Sequence, residues 1–179
     1  MMRIDSGKFK GRRLIENKYP HIRPTTDKVR QAIFTKLQFF LPEKKVLDLF
    51  CGTGAMSIEA LSRGAGSVTM VDKDFRSVAM AKENLKNMGI DQKVVKCDAL
   101  IFLDKCTEQF DLIILDPPYK SGLYGVVLKK IYDKKLLTGD GVIVCEHAKE
   151  DKFETDKFQV YDEKKYGNIA VTYLCNFEN

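Results

Sequence analysis

The chain contains no apolar run approaching the ~20 residues that a membrane-spanning helix requires, so no helical membrane span is expected. It has no C-x-x-C pair. Its five cysteines (Cys51, Cys97, Cys106, Cys145 and Cys175) are odd in number and scattered. That argues against both a disulfide framework and a zinc knuckle and suits a reducing cytosol, so the expectation is a cytoplasmic protein without a metal. Each cysteine then reads as a small buried apolar side chain. The first residues are polar and basic rather than apolar, and no secretory leader is expected. No internal repeat and no linker interrupts the 179 residues, a length that fits one domain with a real core.

What is present is the balance of a folded protein, 44% hydrophobic and 31% charged. The net charge of +5 is unevenly distributed. Residues 1–45 carry 12 Lys/Arg against 4 Asp/Glu, a net of +8, and the remainder carries 18 against 21, a net of −3. A basic arm therefore precedes a near-neutral body. Charge alone is compatible with a solvated surface, but Lys8, Lys10, Arg12 and Arg13, spaced among glycine and phenylalanine, also suit contacts with phosphates.

Residues 2–15 alternate loosely around Gly7 and Gly11 and read as a β-hairpin or paired short strands. Pro20 and Pro24 punctuate a loop. Thr25 or Thr26 offers a helix N-cap, and Val29, Ile33, Leu37 and Phe40 follow at helical spacing, predicting a helix over 26–40. From Lys44 onward, apolar runs at Val46–Phe50, Val68–Val71, Val94–Cys97, Leu112–Leu115 and Val142–Cys145 alternate with helical stretches near 55–63, 74–88, 99–106 and 124–134. Short continuous apolar strands separated by helices predict a parallel sheet covered on both faces. Phe158–Glu163 and Ala170–Phe177 flank Tyr166-Gly167-Asn168 and predict a closing antiparallel hairpin. The organisation expected is one α/β domain over 1–179. Residues 1–42 form a basic N-terminal extension and helix, and 43–179 form the catalytic α/β core.

The first strand runs through Asp48, Leu49 and Phe50 into Cys51-Gly52-Thr53-Gly54. Glycines there let the backbone approach a ligand where a Cβ would collide. Asp72 follows 18 residues after Gly54 and ends the second strand, where a carboxylate can accept both hydroxyls of a ribose. Asp98 ends the third strand, where it or the Ala99 amide would face an adenine edge. A nicotinamide dinucleotide is the rival ligand, but Ser57 replaces the third glycine of the pyrophosphate motif. An adenosyl ligand with an amino-acid tail makes no such demand.

Phe110–Leu115 is an apolar strand that ends in Asp116-Pro117-Pro118-Tyr119. The two prolines fix the backbone as it leaves the sheet. An exocyclic amine on a base is a poor nucleophile, because its lone pair is delocalised into the ring. The Asp116 carboxylate and the Pro117 carbonyl can each accept one N–H, turning the lone pair toward a sulfonium methyl, while Tyr119 stacks on the base. The tetrapeptide serves amines of adenine, cytosine or guanine alike. Asn in place of Asp116 would be more typical of methylation at a glutamine side chain.

Together these segments resemble the bacterial small-subunit rRNA guanine-N2 methyltransferases (RsmD-like) nearly end to end. The likeness runs through Arg3-Ile4, Gly7-Lys8, Gly11-Arg12, Arg23-Pro24-Thr25-Thr26-Asp27-Lys28-Val29-Arg30, Asp48-Leu49-Phe50, Gly52, Gly54-Ala55, Glu59–Ala65, Asp116–Tyr119 and Lys165-Tyr166-Gly167. Cys51 and Thr53 stand where Ala and Ser are usual, Asp72 where Glu is usual, and Tyr119 where Phe is frequent. The resemblance implies a class I S-adenosylmethionine-dependent methyltransferase (Rossmann-like) fold. In that fold a seven-stranded, mostly parallel sheet has an antiparallel last strand, here with an N-terminal β-hairpin/helix extension. It implies S-adenosyl-L-methionine as cofactor, with S-adenosyl-L-homocysteine as product, and guanine of 16S rRNA in an assembled or assembling small ribosomal subunit as target. Asp48, Phe50, Lys73, Asp116, Arg23, Thr25 and Thr26 would then join the cofactor-binding set, and Arg30 and Lys165 the RNA-binding set. From the residues alone, the favoured reading of Arg23, Thr25 and Thr26 is a loop and a helix cap with no ligand. Two alternatives stay open: a DNA amino-methyltransferase acting on adenine N6 or cytosine N4, and a non-catalytic RNA-binding assembly factor of the same fold.

Overall fold

The computed structural model describes residues 2–16, 26–118 and 120–177. Five helices and seven strands alternate as α1 (Asp27–Lys36), β1 (Lys45–Asp48), α2 (Ala55–Ser62), β2 (Ser67–Asp72), α3 (Phe75–Met88), β3 (Lys93–Lys96), α4 (Ala99–Lys105), β4 (Phe110–Leu115), α5 (Leu123–Asp133), β5 (Leu137–Ala148), β6 (Gln159–Tyr166) and β7 (Ile169–Cys175).

One sheet holds all seven strands in the order β3-β2-β1-β4-β5-β7-β6. β1 to β5 are mutually parallel, whereas β7 pairs antiparallel with both β5 and β6. The expected α/β fold, with its antiparallel final strand, is therefore present. The connections run outward in opposite directions from β1 and β4, so the crevice between their carboxyl ends is the switch point where open α/β sheets bind ligands.

Alternation along the strands builds two cores. Val46, Met70, Leu112, Ile114, Val142 and Val144 face α1, α2, α3 and the N-terminal arm. Leu47, Val71, Ile113, Leu115, Ile143 and Cys145 face α4 and α5. This is why the strands read as unbroken apolar runs: both faces are buried.

Several boundaries differ from the sequence expectation. α1 ends at Lys36, not 40, yet Leu37 and Leu41 stay buried in the turns that follow, so their spacing mimics further helix. β5 is three times the length of the apolar run that announced it. Its first half, Leu137–Gly141, contains two glycines and an aspartate that conceal a strand.

The N-terminal segment folds back through an antiparallel bridge between Arg3 and Arg13 and is locked onto α2. The buried Glu59 carboxylate accepts the Asp5 and Ser6 amides at 2.8 and 3.1 Å and the Arg63 Nε at 2.7 Å. Gly7 has φ +80°, and a Cβ there would sit 1.8 Å from the Ser62 carbonyl oxygen. Only glycine lets the arm lie this close to the helix.

Candidate active site

A cleft of about 1020 Å³ opens over the carboxyl ends of β1, β2, β4 and β5. Its floor is the glycine turn after β1. Cys51 donates its amide to Val71 O at 3.0 Å and Gly54 donates to Cys51 O at 2.7 Å, closing a tight loop that opens α2. Gly52 and Gly54 have φ of +52° and +79°, a region that favours glycine. A Cβ on Gly54 would press against Ala81 and the Met70 sulfur at 3.4 Å, whereas one on Gly52 would meet nothing within 4 Å. Gly54 thus serves packing, while Gly52 leaves its side of the turn open.

Asp72 is woven into this turn. Its Oδ2 accepts the Gly52 amide and its Oδ1 the Asp74 amide, each at 2.9 Å. Each oxygen keeps a lone pair, so two amides fix a carboxylate that can still receive a diol.

Asp48, at the end of β1, is buried, and Ser57 Oγ donates to it at 2.6 Å. Burial pushes its carboxyl up to about 7. The Ser57 hydrogen bond opposes that rise, the Asp72 charge adds to it, and the Phe50 amide opposes it again. Phe50 and Lys73 line the cleft as well. Burial pushes the Cys51 thiol well above its ordinary range, which makes it a packing group rather than a nucleophile.

Asp98 is committed locally. Its Oδ1 accepts the Leu100 and Ile101 amides at 2.9 and 3.3 Å, capping α4. The buried Ala99 beside it lines the cleft, which leaves its backbone as the better candidate for an adenine contact. Thr26 is likewise an N-cap, accepting from Val29 N at 3.3 Å, and it borders the same cleft. Asp116, Pro117 and Pro118 complete the wall above β4. Arg23, Thr25 and Tyr119 lie outside the described residues.

Among the candidates for RNA contact, Lys8, Lys10, Arg12, Arg13 and Lys165 are exposed. Arg12 reaches the Asn87 carbonyl, and Lys165 pairs with Glu163 at 3.4 Å. Arg30 must be corrected. Its side chain is 0% exposed and its guanidinium meets Asp5 at 3.1 Å, Asp27 at 3.0 Å and Glu59 at 3.8 Å. It also donates to Arg3 O at 2.6 Å. It is the internal counter-charge that holds the arm on α1 and α2, and it has no surface to offer a phosphate.

One wall of the cleft is not foreseen from the sequence. It is formed by Glu146 and His147 on β5, Tyr124 on α5, and Phe153. Tyr124 and Phe153 stack at 4.4 Å, and the Tyr124 hydroxyl donates to the Glu146 carbonyl. The sequence does carry a signal for it: Glu146-His147 ends the apolar run Val142–Cys145 much as Asp116 ends β4.

Among the charged side chains of the lining, acidic ones outnumber basic ones, with Asp48, Asp72, Asp116 and Glu146 at or near the ends of four strands. Such a cleft suits a cationic ligand. Among the described residues, no group of His, Cys, Asp and Glu is arranged to hold a metal ion, and no helix is long and apolar enough to cross a membrane.

A family model described as "Conserved hypothetical protein 95" matches residues 2–175. The Bacillus subtilis (strain 168) protein YlbH is 39% identical over 154 residues, which cover 83% of this chain and 84% of that one. "Ribosomal RNA small subunit methyltransferase D" of Escherichia coli (strain K12) is 30% identical over 175 residues, covering 94% of this chain and 87% of that one. Among solved structures, the Escherichia coli protein yhhF superposes with a TM-score of 0.87 at 29% identity, covering 99% of each chain.

Proposed function

The chain belongs to the family described as conserved hypothetical protein 95, and from that premise we propose that it methylates the exocyclic N2 amine of a guanine in 16S rRNA, using S-adenosyl-L-methionine. The observation that carries this reading is the placement of Asp116 and Pro117 in one cleft with the Gly52 turn and Asp72. The relative named a small-subunit rRNA methyltransferase supports the substrate class.

The residues fit this cofactor. Asp72, fixed by two amides, suits the ribose diol, and the Ala99 backbone suits the adenine. The open side of Gly52 admits the amino-acid tail, and the acidic lining suits its positive charges. Phe50, Lys73 and Thr26 border the same space, and Arg23 and Thr25 are assigned to the cofactor on the sequence resemblance alone. When bound, the cofactor supplies a methyl group on a sulfonium, an electrophile that needs no metal.

The protein's task is then to aim and activate a weak nucleophile. Asp116 accepts one amine N–H and the Pro117 carbonyl the other, holding the nitrogen so that its lone pair leaves the ring plane. The Asp116 charge stabilises the positive nitrogen that develops and is placed to take its proton afterwards. Pro118 stiffens the turn, and Tyr119 provides a stacking face. Residues 1–42 serve the core at 43–179 as an RNA-gripping extension, with Lys8, Lys10, Arg12, Arg13 and Lys165 as phosphate contacts. The partner is 16S rRNA in an assembled or assembling small subunit, and the compartment is the cytoplasm.

The test is transfer of tritiated methyl to undermodified small subunits, with nucleoside analysis of the product and duplex DNA in parallel. The reading requires N2-methylguanosine. N6-methyladenosine or N4-methylcytidine, or transfer to DNA alone, would replace it with a different amino-methyltransferase. No transfer to any of them would favour an assembly factor.

A further inference from the structure

The parallel register of β4 and β5 pairs Leu115 with Cys145. Asp116 follows Leu115 as the chain leaves β4, and Glu146 follows Cys145 within β5, so each comes directly after one member of this pair. Alternation along β5 puts Glu146 on the same face as Val144. Asp116 and Glu146 both line the cleft, and Glu146 is only 8% exposed. Its strand end is held from the opposite face, where the Tyr124 hydroxyl donates to the Glu146 carbonyl and the Tyr124 ring stacks on Phe153. The next residue, His147, sits beside Tyr124 and Phe153 and has both ring nitrogens engaged, with Thr172 Oγ1 and Ala148 O, each at 2.8 Å. Two carboxylates therefore follow paired residues of neighbouring strands and border one cleft, and the proposed mechanism uses only one.

The edges of the three amine-bearing bases distinguish what such a pair can accept. Guanine presents N1–H directly beside its N2 amine, so donors lie in a row. Adenine and cytosine instead place a ring nitrogen lone pair beside the amine. A second carboxylate in the same cleft as Asp116 bonds to the first pattern and opposes the other two. We propose that Glu146 is the specificity-determining residue of this site, accepting N1–H of the target guanine while Asp116 holds its N2 amine. The assignment rests on the guanine-N2 reading and deepens it. It also assists the chemistry: a carboxylate drawing on the N1 proton pushes electron density through C2 onto N2, the atom that bonds the methyl carbon as the sulfonium carbon–sulfur bond breaks.

The test uses small subunits reconstituted from ligated 16S rRNA, carrying either guanine or 2-aminopurine at the position the wild-type enzyme methylates. 2-Aminopurine keeps the amine but has a lone pair at N1. Wild-type enzyme is expected to prefer guanine by about 100-fold or more in kcat/KM, since the wrong base leaves a buried polar group opposed. In Glu146→Gln the amide can donate to that lone pair, and the preference is expected to shrink by about 10- to 100-fold. Saturable cofactor binding by calorimetry and a cooperative urea transition certify that the variant is folded. Wild-type enzyme that methylates 2-aminopurine as readily as guanine overturns the inference without recourse to any variant. So does a folded Glu146→Gln enzyme with an unchanged preference. In either case N2-methylguanosine formed by the wild type leaves the broader reading standing. If the wild type forms no N2-methylguanosine, both fall.

Discussion

The Gly52 amide donates to Asp72 Oδ2 at 2.9 Å, so the carboxylate that ends β2 is a structural part of the turn that ends β1. Cofactor geometry on two strands is thereby coupled through one hydrogen bond. Substituting Asp72 releases the glycine turn and, on the proposed reading, removes the ribose acceptor.

Asp72→Ala is accordingly expected to weaken S-adenosylmethionine binding by roughly 10- to 100-fold or more, the loss of charge-assisted hydrogen bonds. Asp72→Asn, which keeps one acceptor, should fall between it and the wild type. Calorimetric affinities rank the three. Equal affinity in Asp72→Ala would remove Asp72 from the site.

Asp48 gives a pH signature. The folded state holds its proton more tightly, with the carboxyl at about 7 against an ordinary 3.8. Its contribution to stability is therefore greatest below about 4, declines as pH rises, and levels off above about 7. The stability advantage of Asp48→Asn over wild type should grow across that window. A cationic ligand favours the ionised carboxylate, so binding near pH 6 should release a proton that Asp48→Asn does not. Urea melts over the pH range and calorimetry in two buffers measure both. A pH-independent difference between the proteins would contradict the shift.

Arg30 and the basic arm make opposite predictions. Arg30→Ala removes the buried partner of Asp5 and one of the two cations facing Glu59, which keeps Arg63 at 2.7 Å, and should cost about 1–3 kcal/mol of stability. Neutralising Lys8, Lys10, Arg12 and Arg13 should change stability far less. It should instead flatten the salt dependence of RNA binding by roughly 0.7–0.9 in slope for each phosphate no longer neutralised. Denaturant midpoints and RNA titrations at several salt concentrations separate the two effects. A salt slope that survives all four substitutions makes the arm a solvated surface.

Gly7 tests how the arm is seated. With φ +80° and the Ser62 carbonyl oxygen only 1.8 Å from where a Cβ would stand, Gly7→Ala must push the arm off α2. The expected loss is about 2 kcal/mol or more in denaturant unfolding. A neutral substitution would mean that the arm is not docked as described.

Much of this is legible in the sequence because both faces of β1, β2, β4 and β5 are buried, which writes the strands as apolar runs such as Leu112–Leu115. The site acids at their ends stand out for the same reason: Asp48, Asp72 and Asp116 interrupt an apolar pattern. Arg30 misleads because a buried arginine and a phosphate-binding one look alike until their partners are known. Its partners Asp5 and Glu59 are 25 and 29 positions away. Asp98 reads two ways because a strand-ending acid is also an ideal helix cap: it caps α4 through Oδ1 and lines the cleft as well. Glu146 escapes notice because what brings it to the same cleft as Asp116 is the pairing of Leu115 with Cys145, and register belongs to the sheet rather than to either strand.

The most direct test of the central claim is single-turnover methylation of undermodified small subunits by Asp116 variants, with cofactor binding measured in parallel. Asp116→Asn keeps an acceptor oxygen but removes the charge, and Asp116→Ala removes the hydrogen bond as well. Rates should fall from wild type to Asn to Ala, with the Ala enzyme lower by about 10²–10³-fold, as for loss of one preorganised transition-state partner. An Asp116→Ala enzyme that binds S-adenosylmethionine and methylates at the wild-type rate would contradict the account.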